Sequence, residues 1–398
     1  MDDGVDAKAL HEAWSESLRQ TWNAAERVDE HWSQRWEGTD RDVRVVVARM
    51  PVEVRDGFAY GRVPWGRFAH AYGTGVDVPD LLEWTRSADV VTAREGLGSL
   101  GNSICHQGTR GSVAPLTVPF LLRIAADRTA HTRAGALRLV AVVARRNFWD
   151  DGSRAGLLRA ADPDDSWHFD VGGYLQNWTV EAARDAIAAD AHIPIALLHD
   201  PEPDPAIREA AGYALAAASG RAREISTALH TRLGVEEDAR VRAGLVLAIA
   251  QLAHEHDPGD TAAFARALWS DPTGPAEVRV SAALGWLCLV DDPVPDALRA
   301  VIEESVTPEL RELLSPSPWM RQVEDTGVDG LSHTLWQMLD PDTWPGPAPE
   351  PCFDVVCRRL RRPGSGGGRF PGTAGAFMLP GASARRRMRR VSRTRERS

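Results

Sequence analysis

DPAIREAAGYALAAAS at residues 204–219 and DARVRAGLVLAIAQLA at residues 238–253 are two copies of one pattern. Each opens on an aspartate, reaches an apolar residue and an arginine within four positions, and continues with small and apolar residues at helical spacing. Superposing Arg208 on Arg242, 34 residues apart, brings Ile207 onto Val241 and Ala211 onto Leu245. These matched positions lie one helical turn apart, so both copies present the same apolar face. A unit of this length cannot bury such a face alone, whereas stacking one helix pair on the next covers it.

The same signature extends outward in both directions. The key arginines are Arg94, Arg133, Arg208, Arg242, Arg279 and Arg311, spaced by 39, 75, 34, 37 and 32 residues. The spacing of 75 equals two periods and contains an interruption, residues 147–178, which takes the place of one unit. Thr307-Pro308 repeats the logic of Asp204-Pro205, an N-cap followed by proline in the first helical position. Each arginine falls near a local acidic residue: Asp204 with Arg208, Asp238 with Arg242, Glu277 with Arg279. This placement predicts a structural ladder in which guanidinium groups bond carboxylates or carbonyls in the turns between units.

The predicted fold is all-α, a right-handed α-solenoid of about six helical hairpins. Residues 1–76 form an N-terminal helix and capping segment, residues 77–146 the first repeats, and residues 179–340 the remaining repeats. Residues 341–398 form a Pro/Gly/Arg-rich tail predicted to be disordered. In the capping segment Leu10, Trp14, Leu18, Trp22 and Ala25 share one helical stripe, while the valine-rich residues 42–60 read as a short strand-like or irregular connection. Gly108 closes the helix of residues 91–108 as a left-handed C-cap.

Charge divides the chain. The net charge is −10, yet residues 351–398 hold 13 arginines against Asp354 and Glu396, leaving about −21 on residues 1–350. An acidic body disfavours phosphate binding and favours a basic protein or peptide partner, and only the tail has the composition for nucleic acid. The four cysteines are scattered without CxxC spacing, and the N-terminus lacks the basic-then-apolar order of a secretory signal. The apolar runs are about half a membrane span. A cytoplasmic protein with no membrane segment is expected.

Chemistry-bearing motifs are sparse. There is no GxxxxGK[ST], GxSxG or HExxH. Cys105 and His106 are adjacent, which on a helix turns them about 100° apart and makes no thiolate–imidazole pair. His106, Gln107 and Thr109 are read as fixing the first turn between repeats, with a binding role as the sharper alternative. Asp162, Asp164, Asp165 and Asp170 lack the order of a calcium loop. Trp149, Trp167 and Trp178, in or bordering a long break in a regular array, are candidate binding anchors. His254 and His256 fit the end of a helix, where the dipole favours them. No cofactor, metal or enzymatic activity is expected.

With its Asp-containing turns and an arginine early in each second helix, the array over residues 79–315 resembles HEAT-type repeats. Its short units are closer to bacterial HEAT-like units than to the long eukaryotic form. PW and HAYG within 64–73, VP at 78–79, HQGT at 106–109 and VPFLL at 118–122 are similar to the N-terminal part of HEAT-repeat domain proteins common in actinobacteria. The resemblance implies a solenoid and assigns no activity. The expected function is a scaffold whose concave face, lined by second helices, binds a protein or peptide. The alternative is a nucleic-acid-associated protein resembling the HEAT-like DNA glycosylases, or one that binds through its arginine-rich tail.

Overall fold

The computed structural model describes residues 36–106, 108–146, 154–161, 169–170, 173–201, 204–256, 258–320 and 330–339, and these are mostly helical. The tryptophan stripe of residues 10–25 and the basic tail lie outside the described residues. Among the described residues no helix is long and apolar enough to cross a membrane.

Helices α1 (Val43–Ala48) and α2 (Val52–Asp56) come first. The valine-rich stretch is therefore helical, against the strand-like expectation. Asp42 caps α1 by accepting from the Arg44 amide, and Val43 and Val47 are buried toward a later helix. Burial of that face outweighs the β-propensity of the valines. Hairpins then follow in order: α3 (Val78–Thr85) with α4 (Val90–Ile104), and α5 (Ala114–Ala126) with α6 (Arg133–Val143). After an additional helix, α7 (Gln176–Ala189), come α8 (His192–His199) with α9 (Pro205–Leu215), and α10 (Ala222–Leu233) with α11 (Ala239–His256). Helices α12 (Pro258–Ser270) and α13 (Ala276–Leu289) form the next pair, and α14 (Asp296–Ser305), α15 (Pro308–Leu314) and α16 (Gly330–Met338) close the described chain.

Second helices touch in sequence: α4 with α6, α6 with α9, α9 with α11, α11 with α13, and α13 with α15. Because α6 packs directly on α9, the interruption takes no place in this row. Helix α7 instead lies against α1 and α5. Asp190, at the C-cap of α7, anchors it by accepting from Arg55 at 2.9 Å and from Arg123 at 2.7 Å. Close approach explains Gly96, where a Cβ would lie 2.6 Å from the Thr85 nitrogen, so that α4 crosses the end of α3 backbone to side.

Of the six key arginines, Arg208, Arg242 and Arg279 meet carboxylates, and these are not the local acidic residues expected. Asp204 and Asp238 are occupied as caps, accepting from Ala206 and Val241 amides at 2.9 and 3.0 Å. Arg208 bonds Glu236 through two nitrogens at 2.8 and 3.0 Å, Arg242 bonds Glu277, and Arg279 approaches Glu304 at 3.6 Å. Each of these three arginines thus reaches forward into the next hairpin. Arg133 donates to the Ala125 carbonyl at 2.9 Å within its own hairpin, Arg94 is exposed, and the Arg311 Nε is buried without an acceptor among the described residues.

The second-helix row does not expose an open concave face in its later half. Along α11 the residues Ala243–Ala253 are all buried, and along α13 so are Glu277–Cys288. Part of the cover comes from the interruption, where Leu158 is fully buried and the Cys288 thiol donates to the Arg154 carbonyl. Part comes from Trp319, which packs edge-on to Tyr213 at 4.6 Å and donates to the Gln251 Oε1 at 3.0 Å. Gln251 in turn donates to the Ala216 carbonyl and accepts from Arg145 at 3.1 Å. The Arg145 guanidinium lies 3.7 Å from the centre of the Tyr213 ring. Burial pulls its pKa down to about 10, which still leaves it charged at neutral pH. A buried polar chain thereby links α6, α9 and α11 to the segment after α15.

Candidate functional site

Two minimal hairpins at the end of α4 build the most distinctive polar surface. β1 (Ala69–His70) pairs antiparallel with β2 (Gly73–Thr74), leaving Ala71 and Tyr72 at the tip. β3 (Cys105–His106) pairs with β4 (Thr109–Arg110), and Gly108 turns the chain at φ 82°. Helix α4 thus ends at Ile104, and Gly108 serves a β-turn rather than the expected helix cap. The left-handed conformation is the same requirement met in a different context.

The hairpins interlock. Ala71 donates its amide to the Ser103 carbonyl at 3.1 Å, and Val113 donates to the Ala69 carbonyl at 3.1 Å. At Gly111 a Cβ would come within 2.6 Å of the Ala69 oxygen, so the approach requires glycine. Beneath them, Asp170 is buried and accepts the Ser112 amide through one oxygen and the Tyr174 amide through the other, each at 2.9 Å. This aspartate from the interruption is a structural tie, and its two oxygens are spent on backbone amides. Arg110 is also buried and donates to the Val142 carbonyl at 3.2 Å and to the Gly108 carbonyl at 2.5 Å.

On this base stands Tyr72. It is 52% exposed, and it is the one aromatic among the large hydrophobic side chains exposed in the described residues. Its hydroxyl accepts from the Asn102 amide at 2.9 Å and lies 3.2 Å from the His106 Nδ1. The His106 ring meets the tyrosine edge-on at 5.3 Å. From behind, the buried His70 accepts the Tyr72 backbone amide on Nδ1 at 3.1 Å, which leaves Nε2 to donate to Asp77 at 2.8 Å. Asp77 is itself half in solvent, and exposed Val76 precedes it. An exposed aromatic normally samples several rotamers, but this one is fixed at both ends.

The sequence candidates distribute unevenly around this shelf. His106 belongs to it, and Thr109 stabilises it by donating to the His106 carbonyl at 2.7 Å. Gln107, Trp149 and Trp167 lie outside the described residues. Trp178 is a core side chain of α7, 8% exposed, edge-on to Tyr174 and covered by the Arg44 guanidinium at 4.1 Å. It is therefore no docking anchor, because its ring is spent on internal packing. Cys105 and His106 occupy successive strand positions and so point to opposite sides. Burial pushes the Cys105 thiol up to about 11, the reverse of what a nucleophile needs.

Tyr72, Asn102, His70 and Asp77 carry the site without having been singled out. The available signal was HAYG at 70–73, a two-residue turn between short strands ending on a glycine. Its partner Asn102 is 30 residues away, and no local pattern joins the two. Among the described residues no group of three or more His, Cys, Asp or Glu is placed to hold a metal ion. The chain matches no known protein family, no curated protein and no solved structure.

Proposed function

We propose that the chain is a non-enzymatic binding protein, a right-handed α-solenoid of about six HEAT-like hairpins of the bacterial, actinobacterial kind, acting in the cytoplasm. The ordered contacts of successive second helices support the solenoid reading, as does the forward-reaching ladder of Arg208, Arg242 and Arg279. The partner is a basic protein segment or peptide. It docks on the shelf around Tyr72 rather than in a concave groove, because the later second helices are covered by the chain's own Trp319 and residues 154–160.

The single observation that carries this reading is the pre-organised Tyr72. A rigid, amphipathic tyrosine offers contact area at little entropic cost, the property that makes such residues anchors in binding surfaces. Asp77 beside it, on a body of net negative charge, supplies attraction for lysine or arginine. Selection of a random peptide display library on the immobilised full chain tests the reading. Enriched peptides are expected to be rich in Lys and Arg, and Tyr72→Ala is expected to weaken them by about thirtyfold, the scale of a hot-spot residue. Peptides that bind Tyr72→Ala as well as the wild type would refute it. The nucleic-acid alternative has its own readout in a salt titration of DNA binding with and without residues 351–398.

A further inference from the structure

On a different part of the molecule, a cavity of about 580 Å³ opens between α7 and the C-terminal end of α11. That volume suits a metabolite-sized ligand rather than a protein side chain. Two carboxylates line it, and each is already engaged: Glu181 by Arg44 at 3.1 Å and Glu255 by Arg184. The remaining polar lining comes from Arg159, Asn177, Arg184, His254 and His256, with Ser219, whose hydroxyl bonds Asp185.

Two of these side chains are incompletely satisfied. Arg184 is 8% exposed, and although its terminal nitrogen meets Glu255, its Nε is buried with no acceptor among the described residues. The His254 Nδ1 is likewise buried with no hydrogen-bond partner among the described residues. Burial draws the His254 pKa down, with Arg159 acting in the same direction and Glu255 opposing it. Folded proteins rarely leave a buried guanidinium N–H and an imidazole without partners side by side on one wall, and such exceptions mark places where something else binds. The Arg184 Nε in particular is a donor that lacks an acceptor among the described residues.

We infer that this cavity binds a small molecule through an oxyanion group, a phosphate or a carboxylate, held by the Arg184 and His254 side of the wall. A planar guanidinium flanked by imidazole and amide donors is the arrangement that recognises such groups. Glu255 orients Arg184, and Glu181 is paired with Arg44, so each carboxylate is offset by an arginine.

Calorimetric titration of the full chain at neutral pH and fixed ionic strength, with inorganic phosphate in one arm and acetate in the other, tests this inference. Saturable one-site binding of either anion is expected, and the stronger arm identifies the head group. His254→Ala is expected to weaken that binding by about tenfold, the loss of one hydrogen bond to a charged group. Because a variant can fold poorly, the wild-type protein supplies a second reading: the His254 side-chain NMR signals should shift along the same isotherm. Absence of saturable binding in both arms overturns the inference. So does binding that leaves the His254 signals unmoved, or that His254→Ala retains in full.

Discussion

The end of α4 and the middle of α11 are both parts of second helices, yet they differ in what they are allowed to touch. Along α11 every residue from Ala243 to Ala253 is buried, and Trp319 reaches Gln251 across it. At the end of α4 the chain leaves the helix and folds a small hairpin against the earlier one of residues 69–74, whose Tyr72 is held half in solvent. The first region spends its polar groups on itself. The second spends them on fixing one side chain that stays half exposed. Repetition and internal closure mark the portion that packs helix on helix, and irregular, outward-directed order marks the portion to which the proposed binding is assigned.

The sharpest break of this comparison is expected at Glu236 in the turn before α11. Its carboxylate accepts from Arg208, from Arg232 at 2.8 Å and from the Asp238 amide at 3.0 Å. Glu236→Ala would strand two guanidiniums in a buried turn, so chemical denaturation should show a loss of about 3–5 kcal/mol. The same residue predicts a pH dependence. Burial alone would raise its pKa, but the hydrogen bonds from Arg208 and Arg232 outweigh that and hold it at about 2, against an ordinary value of 4.5. A depressed folded-state pKa stabilises fully above about pH 4.5 and is lost as pH falls toward 2. Denaturation midpoints of the wild type should therefore fall across that window more steeply than those of Glu236→Gln.

Trp319 tests the closure itself. Removing the indole deletes the bond to Gln251 and the edge contact with Tyr213, and leaves a void above Gly244. Trp319→Ala should cost about 3 kcal/mol. If the covered face is merely sealed, this variant should gain no peptide binding beyond that which depends on Tyr72. Gain of binding at α11 with Tyr72 made dispensable would reverse the comparison between the two regions.

The hairpin frame was readable in advance because its signals are local. Asp204-Pro205, Asp238 and Thr307-Pro308 announce helix starts within a few residues, and the apolar spacing fixes which face is buried. The partners of the arginines were not readable. Arg208 finds Glu236 28 residues away, while the closer Asp204 is consumed by capping. Nor was the cover readable, since Arg145 meets Gln251 over 106 residues and Gln251 meets Trp319 over 68. The valines of α1 failed for a related reason: their helix exists because α7, more than 120 residues later, buries it. Of the shelf, His106 and Thr109 were legible as turn residues beside a glycine, but the tyrosine they support lies in another hairpin.

A smaller effect is expected at Gly111, where the two hairpins meet backbone to backbone. A methyl group there must displace the Ala69 carbonyl and the His70 Cα, 2.6 and 2.8 Å from its position. Gly111→Ala should cost about 1–3 kcal/mol in denaturation. It should also loosen Tyr72, lowering peptide affinity without altering any contacting side chain.

The smallest effect on stability belongs to the residue with the largest expected effect on binding. Tyr72→Ala removes an exposed ring and two hydrogen bonds that compete with water, so its cost should stay near about 0.5–1 kcal/mol. Tyr72→Phe separates the two properties of the side chain. It keeps the ring and its contact with His106 but loses the hydroxyl that Asn102 and His106 hold. If fixation is what makes the shelf a binding surface, Tyr72→Phe should bind measurably more weakly than wild type, with most of the loss in the dissociation rate. If Tyr72→Phe matches the wild type while Tyr72→Ala does not, the ring's area alone is at work, and the hydrogen bonds around it serve only to close the hairpins.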